Sequence, residues 1–313
     1  MIEITMLLST VGTLALLLAT GFAGGKLKIL DETVTEKISV VVIKIVQPFL
    51  IINSFIGCEF SPENLSTGLW ILLLGLGLHG VLAASAFLLA KPIRDMDERK
   101  ISEFAMLFGN SAFVGFPILE SIFGKTGLFY GAFFLASFHL VMWTWGIMIL
   151  ARGRKDIKVT PRSIFINWGT IPCVIGFVLF VTGLKMPSFI TSFTGYLAAL
   201  GTPLSLLVAG ANIARVKLRK LFANPHIYYV SAMKMVVVPL AAALLMRLLG
   251  LPEYMILFGG VMAAMPCASV VTMFSEVYKL SPGYAGGLVG TSTVLCTLTI
   301  IPVVTLIGMI AAI

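Results

Sequence analysis

Long apolar stretches separated by short polar segments run from one end of the chain to the other. A helix that crosses a bilayer needs about 20 apolar residues, at a rise of about 1.5 Å each. The stretches predict an all-α integral membrane protein with ten spans, at residues 4–24, 35–56, 68–90, 101–123, 127–150, 163–184, 193–213, 226–249, 254–275 and 284–310. We interpret the first stretch as span 1 rather than a signal peptide, because no basic segment precedes it and no convincing cleavage site follows.

The positively charged residues predict the orientation of these spans. Loops that follow odd-numbered spans hold 17 of the 22 Lys and Arg residues, whereas the remaining loops hold only Lys125, Lys185 and Arg247. Lys and Arg are enriched in cytoplasmic loops. The bias therefore predicts a multi-pass protein of the cell (inner or plasma) membrane, with the N- and C-termini outside.

The chain divides into two halves of five predicted spans each. Residues 1–151 form the first five-helix repeat, residues 152–162 a cytoplasmic linker, and residues 163–313 the second repeat. An odd number of spans per half means that the second repeat is inserted upside down, which is the inverted-topology repeat of many secondary transporters. Two short matches at an offset of 155 residues support the duplication, one joining Gln47-Pro48 to Thr202-Pro203 and the other His79-Gly80 to Lys234-Met235.

Glycine and proline interrupt two spans at corresponding places in the halves. The interruptions are 109–117 in span 4 and 263–269 in span 9. We expect each helix to break at its proline, so that half-helices begin at Pro117 and Pro266 and point their positive N-termini at one anion site. Ordinary proline kinks are the alternative. The predicted substrate-binding residues here are Asn110, Ser111, Gly115, Pro117, Met265, Pro266, Cys267, Ala268 and Ser269.

Ionisable residues inside the predicted spans are further candidates, because such residues are costly in a membrane and are commonly functional. Lys234 in span 8 either faces the bound anion or extends to the cytoplasmic surface, and the sequence leaves both open. His79, His139 and Glu120 are candidates for proton or ion coupling. The simpler alternatives are hydrogen-bonded packing histidines and a solvated glutamate near the outer surface.

Composition narrows the functional class. Hydrophobic residues make up 58% of the chain and charged residues 12%, with a mean hydropathy of +1.03. The formal net charge of +8 fits the basic loops and does not require a nucleic-acid partner. The sequence contains no P-loop, no His/Cys cluster with metal-ligand spacing and no nucleophile–base arrangement. We therefore expect neither an enzyme nor a protein with a cofactor or a bound metal.

Three segments resemble the auxin efflux carrier (PIN-like) family. Gly109-Asn110-Ser111 followed by Gly115-Phe116-Pro117 resembles its span 4 signature, in which an Asn precedes Gly-x-Pro. The segments 265–278 and 234–239 resemble its spans 9 and 8. The resemblance extends over the whole chain. It implies the fold of the bile-acid:sodium symporters, with spans 1, 2, 6 and 7 as a scaffold and spans 3–5 and 8–10 as a moving transport domain.

The resemblance also implies a function. Members of the family carry organic anions: the plant members export auxin, and bacterial relatives are assigned to malate, malonate and similar acids. It implies an elevator-type mechanism and a homodimer formed through the scaffold. This chain lacks the long hydrophilic loop of the plant members between spans 5 and 6, which makes it similar to the compact microbial carriers and leaves auxin as the natural substrate in question.

The sequence therefore predicts a secondary carrier of a small carboxylate, with the lipid bilayer, the organic anion and a second copy of the chain as partners. Two alternatives stay open at this point. One is a sodium- or proton-coupled symporter of the bile-acid:sodium symporter type. The other is a sensor that binds its ligand in a transporter-like fold and signals to a partner. The exact substrate, the direction of flux and the coupling ion do not follow from the sequence.

Overall fold

A computed structural model describes residues 4–56, 58–153, 166–215 and 224–313, and these residues are almost entirely helical. Seven helices are long and apolar enough to cross a membrane. They are α1 (Ile4–Lys26), α2 (Glu32–Ile56), α3 (Pro62–Leu89), α5 (Lys125–Ala151), α7 (Ser188–Arg215), α8 (Pro225–Leu248) and α10 (Pro282–Ala312). The shorter helices are α4a (Met96–Leu107), α4b (Ser111–Phe123), α6 (Thr170–Thr182), α9a (Glu253–Ala263) and α9b (Val270–Val277).

The seven long helices correspond to predicted spans 1, 2, 3, 5, 7, 8 and 10. Predicted spans 4 and 9 are each divided into two helices by a non-helical break, as the sequence suggested. Predicted span 6 corresponds to the shorter α6, and its first residues, 163–165, lie outside the described residues together with 154–162 of the predicted linker. The multi-pass helical architecture is therefore confirmed, whereas ten spans arranged as inverted repeats remain a prediction.

Prolines shape several helices without ending them. The π-helical turns Val42–Val46, Ser111–Gly115 and Met233–Val237 each end two residues before a proline, namely Pro48, Pro117 and Pro239. A proline has no N–H to donate, and its ring clashes with the carbonyl of the preceding turn. A π-turn is wider by one residue, so it accommodates the ring while the helix continues.

This geometry corrects the predicted starts of the two half-helices. Pro117 lies inside α4b, and the break precedes it, at residues 108–110, so that the half-helix begins at Ser111. In the second half, Pro266 lies in the extended break itself and α9b begins only at Val270. Both predicted starts were wrong. The wide π-turn accommodates Pro117 within the helix, and the carbonyl of Pro266 takes part in the backbone pairing between the two breaks.

Glycines let α1 and α7 pack with their backbones in contact. A Cβ atom on Gly21 would lie 2.3 Å from the carbonyl oxygen of Leu207, and one on Gly210 would lie 2.1 Å from that of Leu18. Small residues at such positions permit the close approach that drives helix association in membranes. The α1–α7 pair is therefore a closely packed unit, and it lines one side of the site described below.

A buried ion pair joins α4a to α5. Both carboxylate oxygens of Glu103 accept hydrogen bonds from the Arg152 guanidinium, at 3.0 and 2.6 Å, while the Glu103 side chain is only 1% exposed. The neighbouring Ser102 shares a 2.7 Å hydrogen bond with Tyr284 of α10. Because a bidentate Arg–carboxylate pair fixes relative orientation, these contacts hold α4a, α5 and α10 together at one end of the bundle.

Candidate functional site

The two helix breaks cross and pair with each other. Gly109 and Cys267 form an isolated antiparallel β-bridge. The N–H of Asn110 donates to the carbonyl oxygen of Pro266 at 2.7 Å, and the N–H of Ala268 donates to that of Phe108 at 3.0 Å. Unpaired backbone groups are costly inside a membrane, where irregular segments must be satisfied by other protein groups. Each break therefore supplies hydrogen-bond partners to the other.

Asn110 caps the N-terminus of α4b at this crossing. Its Oδ1 accepts from the N–H of Phe113 at 3.3 Å, and its backbone carbonyl accepts from the N–H groups of Val114 and Gly115. The side chain is buried, with 6% of the residue exposed. Its amide Nδ2 donates to no group in the described part of the chain. Asn110 thus combines a structural cap with a donor that is not used by the protein.

Of the two predicted serine ligands, Ser111 is the one whose hydroxyl is engaged with nearby backbone. Ser111 is buried, and its hydroxyl donates to the carbonyl oxygen of Gly109 at 3.3 Å. Ser269 is only partly buried, and its carbonyl oxygen accepts from the Thr272 hydroxyl at 2.7 Å. The Ser111 hydroxyl therefore has no idle proton to donate to an anion, but its oxygen lone pairs can still accept a hydrogen bond.

Lys234 is buried at the crossing. Only 1% of the residue is exposed, and Nζ donates to the carbonyl oxygen of Ala263 at 3.2 Å. A Cβ atom on Gly109 would lie 3.3 Å from Nζ, which places the ammonium directly against the break in span 4. Ala263 is the last residue of α9a, where helix carbonyls carry partial negative charge. The side chain therefore does not extend to the membrane surface, and its contact with a bound anion stays a prediction.

His79 is buried in an aromatic enclosure. Its Nδ1 is 2.6 Å from the carbonyl oxygen of Gly75, and its ring stacks on Phe134 with centroids 5.2 Å apart. His79 and Cys267 are both close enough to Lys234 to interact with it electrostatically. Because the carbonyl needs an N–H donor, Nδ1 carries a proton in this arrangement, and His79 is held as a packed, hydrogen-bonded ring.

The structure places the other two coupling candidates away from the crossing. His139 is buried where α5 meets α2 and the start of α6, with its Nε2 3.1 Å from Nε2 of Gln47 and its Nδ1 without a partner among the described residues. Gly169, just before α6, leaves no room beside the ring, because a Cβ atom there would lie 2.2 Å from Nδ1. Glu120 is exposed, ten residues beyond Asn110 on the same helix, or about 15 Å along its axis.

Sequence reasoning missed three residues that build the crossing. Gly109 leaves the space that Nζ of Lys234 occupies, Ala263 supplies the carbonyl that accepts from it, and the hydroxyl of Ser292 accepts from the N–H of Cys267 at 3.1 Å. Gly109 precedes Asn110 in the sequence, and a glycine there could have indicated a place where another group packs closely against the backbone. Ser292 lies in a Thr-Ser-Thr run on α10, a polar signal within an apolar helix.

The remaining predicted residues are close-packed around the breaks. Met265 and Cys267 are completely buried, and Ala268 is 5% exposed. A Cβ atom on Gly115 would lie 3.4 Å from Sδ of Met262 and 3.5 Å from Sδ of Met265, so that α4b rests on methionine side chains. Flexible methionines can repack around an irregular neighbour, which suits a junction of two breaks.

A small cavity of about 20 Å³ lies beside the crossing. It lies between α1 and α7 on one side and α4b, α10 and Pro266 on the other, and its lining is apolar apart from two threonines. The residues that line it are Val11, Leu14, Leu18, Val114, Ile118, Leu206, Pro266, Thr293, Cys296, Thr297 and Ile300. The space is about that of one water molecule, so this conformation is closed around the crossing.

Comparisons with known proteins assign the chain to a family. A search of the curated proteins found no match. The family model described as "Membrane transport protein", which covers the auxin efflux carriers and PIN-like proteins, matches residues 6–304 and hence nearly the whole chain. The match agrees with the seven apolar helices and with the broken helices that cross between them. The chain therefore belongs to the membrane transport protein family of auxin efflux carriers.

Proposed function

We propose that this family member is a secondary carrier for a small organic anion, and that the carboxylate of the anion binds at the crossing of the two helix breaks, in predicted spans 4 and 9. The observation that supports this most strongly is the buried Lys234 ammonium beside the crossing, with the amide donor of Asn110 on the neighbouring break. A buried cation and an unused N–H donor on adjacent elements suit a carboxylate, which accepts from several donors at once.

The backbone adds to the attraction for an anion. The first turn of α4b begins directly after Asn110, and its N-terminal end carries partial positive charge. In an environment that excludes water, such dipoles and the ammonium act with little screening. A carboxylate at this position would also supply Lys234 with the opposite charge that it lacks among the described residues.

The substrate class follows from the balance of charge and apolar surface. One lysine neutralises one carboxylate, and the adjoining cavity offers the rest of the ligand apolar side chains and two threonines, Thr293 and Thr297, whose hydroxyls already donate to backbone carbonyls of α10. A second carboxylate there would be desolvated without a partner, which is costly. We therefore propose a monocarboxylate with an apolar body, auxin-like in character, in preference to malate or malonate. A transport panel of indole-3-acetate, short fatty acids, malate and malonate tests this preference for monocarboxylates over dicarboxylates.

Transport requires this closed site to open. A cavity of about 20 Å³ cannot hold a carboxylic acid of several heavy atoms, so α1 and α7 must separate from α4b and α10. The surfaces that meet there are apolar, with Val11 and Leu14 against Val114 and Ile118. These apolar surfaces can slide past each other, although the 3.1 Å hydrogen bond between Gln47 of span 2 and His139 of span 5 would have to part. This supports an elevator-type movement of predicted spans 3–5 and 8–10 against spans 1, 2, 6 and 7.

A homodimer through the scaffold is part of the same proposal. Phe189, Phe193 and Tyr196 on α7 are all strongly exposed in the isolated chain. Large aromatic side chains on one helix suit either lipid or a second copy. Cross-linking of a single cysteine introduced at Phe193 in native membranes would capture a dimer formed on this face, and its absence at all protein densities would contradict this part of the proposal.

The Asn110→Asp variant tests the binding site. Aspartate caps a helix as well as asparagine does, so α4b should be retained, whereas a carboxylate in place of the amide should repel the substrate and abolish saturable binding. Asn224→Ala is the matched control, because Asn224 caps α8 through the N–H of His226 and lies away from the crossing. It should cost about 1 kcal/mol of stability and leave the affinity unchanged. Wild-type affinity in Asn110→Asp would contradict the proposal.

Transport by the purified protein in liposomes distinguishes the alternatives. Uptake that depends on sodium or on a pH gradient would establish a coupled symporter in place of a uniporter. A ligand that binds to the purified protein but never crosses the bilayer would favour the sensor. Sodium-independent, saturable transport that is lost in Asn110→Asp is the result expected for the carrier.

A further inference from the structure

Lys234 differs from every other buried charged side chain in the described ranges. Three such side chains are buried there: Lys100, Glu103 and Lys234. Lys100 lies 3.7 Å from the carboxylate of Asp97, and Glu103 is paired with Arg152. Lys234 contacts no carboxylate among the described residues, and its hydrogen bond is to a neutral carbonyl. The crossing therefore contains one positive charge with no negative charge to balance it.

The ammonium is attached to the crossing rather than to the opposite wall of the cavity. Nζ is held by the carbonyl of Ala263 at the end of α9a and lies against Gly109 in the break that follows α4a. The breaks that these residues adjoin are joined by the β-bridge. The helices α1 and α7, which close the cavity from the other side, contribute only apolar side chains to it. Any movement that carries the crossing past α1 and α7 therefore carries this charge along.

We propose that Lys234 is a built-in countercharge that makes the loaded carrier electrically neutral and leaves the empty carrier with a charge of +1. The inference rests on the proposed function and adds the step at which membrane potential acts. A bound monocarboxylate cancels the ammonium, so the loaded crossing moves without responding to voltage. After release, the empty crossing returns as a cation and responds to the full potential.

The direction of the effect follows from the sign of the charge. An interior-negative potential draws the empty cationic crossing inwards and thereby speeds net export of the anion, while it slows net import. One elementary charge that crosses 100 mV changes an equilibrium about 50-fold. A barrier midway across the membrane changes the rate by the square root of that factor, about 7-fold. Exchange of internal for external substrate needs no empty step, and its rate should not depend on voltage.

The experiment compares exchange with net efflux in proteoliposomes that contain the wild-type protein or Lys234→Gln, at 0 and −100 mV set by potassium and valinomycin. Radiolabelled indole-3-acetate, saturating on both sides, serves as the probe. We expect wild-type exchange to be unchanged by voltage and wild-type net efflux to rise up to about 7-fold. In Lys234→Gln the loaded carrier has a charge of −1, so −100 mV holds it at one face and should slow exchange about 4-fold.

Two further variants separate charge from structure. Lys234→Arg keeps the positive charge and should keep voltage-independent exchange, even if its affinity changes. Lys44→Gln is the matched control, because Lys44 also lies in a π-turn of a membrane helix but is exposed. It should behave as the wild-type protein in both assays. Thermal unfolding of all four proteins confirms that the folds are comparable.

The outcomes separate this inference from the proposed function. Wild-type exchange that slows about 4-fold at −100 mV overturns the countercharge, and so does voltage-independent exchange in Lys234→Gln. Net efflux that follows a pH gradient but not voltage also overturns it, because Lys234 would then return without its proton. The absence of any indole-3-acetate exchange in the wild-type protein, with the rest of the carboxylate panel also silent, would instead contradict the proposed function.

Discussion

A single added methyl group at Gly109 should displace the Lys234 ammonium. The Cβ of an alanine there would lie 3.0 Å from Cβ of Met265, 3.3 Å from the carbonyl oxygen of Met265 and 3.3 Å from Nζ of Lys234. Two of these neighbours belong to the opposite break, which the β-bridge to Cys267 holds in place. The flexible end of the lysine is the group most able to yield.

The size of the effect can be worked from these contacts. Overpacking by one methyl group in a close-packed interior costs about 1–3 kcal/mol. If Nζ moves away from the crossing, it also loses the 3.2 Å hydrogen bond to Ala263, and a hydrogen bond to a charged group contributes about 1.5–3 kcal/mol. We expect Gly109→Ala to lower the free energy of unfolding by about 1–3 kcal/mol and to weaken carboxylate binding at least about 10-fold, equivalent to about 1.4 kcal/mol.

The assay is thermal unfolding in detergent, with and without saturating substrate, together with equilibrium binding. Gly80→Ala is the matched control, since a Cβ atom on Gly80 has nothing within 4 Å and the residue lies within α3. Alanine in place of glycine there should stabilise the helix by up to about 1 kcal/mol and leave binding unchanged. A Gly109→Ala protein with wild-type stability and affinity would refute the proposed position of the ammonium.

Two further predictions concern the framework around the site. Glu103→Gln should lower the free energy of unfolding by about 1–3 kcal/mol, less than for a fully buried pair, because Arg152 is 37% exposed and can turn towards water; unchanged thermal stability would contradict the predicted role of the pair. Gly210→Ala should force α1 away from α7, because its Cβ would lie 2.1 Å from a carbonyl oxygen, and should cost about 1–3 kcal/mol; thermal unfolding beside the Gly80→Ala control measures it.

The seven long apolar helices could be predicted from the sequence because hydrocarbon imposes one simple requirement on every helix that crosses it. The existence of the two breaks followed in the same way, from glycine and proline at matching places. The start of α4b did not follow, because Pro117 is accommodated by the π-turn at Ser111–Gly115 and the helix opens at Gly109 instead. Whether a proline ends or only bends a helix depends on neighbours that are distant in sequence.

The position of Lys234 was only half predictable. The surrounding sequence placed Lys234 within a span. Whether its side chain is buried or extends to the surface depends on the groups that neighbouring helices present to it. The decisive residues are Ala263 and Gly109, one supplying a carbonyl and the other a space. For His139 the opposite holds: the sequence made it a coupling candidate, whereas its contacts with Gln47 and Gly169 place it where α5 meets α2 and the start of α6.

The β-bridge between the breaks has a mechanical consequence. Its two hydrogen bonds, from Asn110 to Pro266 and from Ala268 to Phe108, are made where water is scarce, so that parting the breaks would leave four backbone groups bare at several kcal/mol each. We therefore expect the two breaks to move together as one rigid unit and not to separate. We therefore expect a ligand to contact the paired breaks from one side rather than to bind between them. None of its binding energy is then needed to bring the two breaks together.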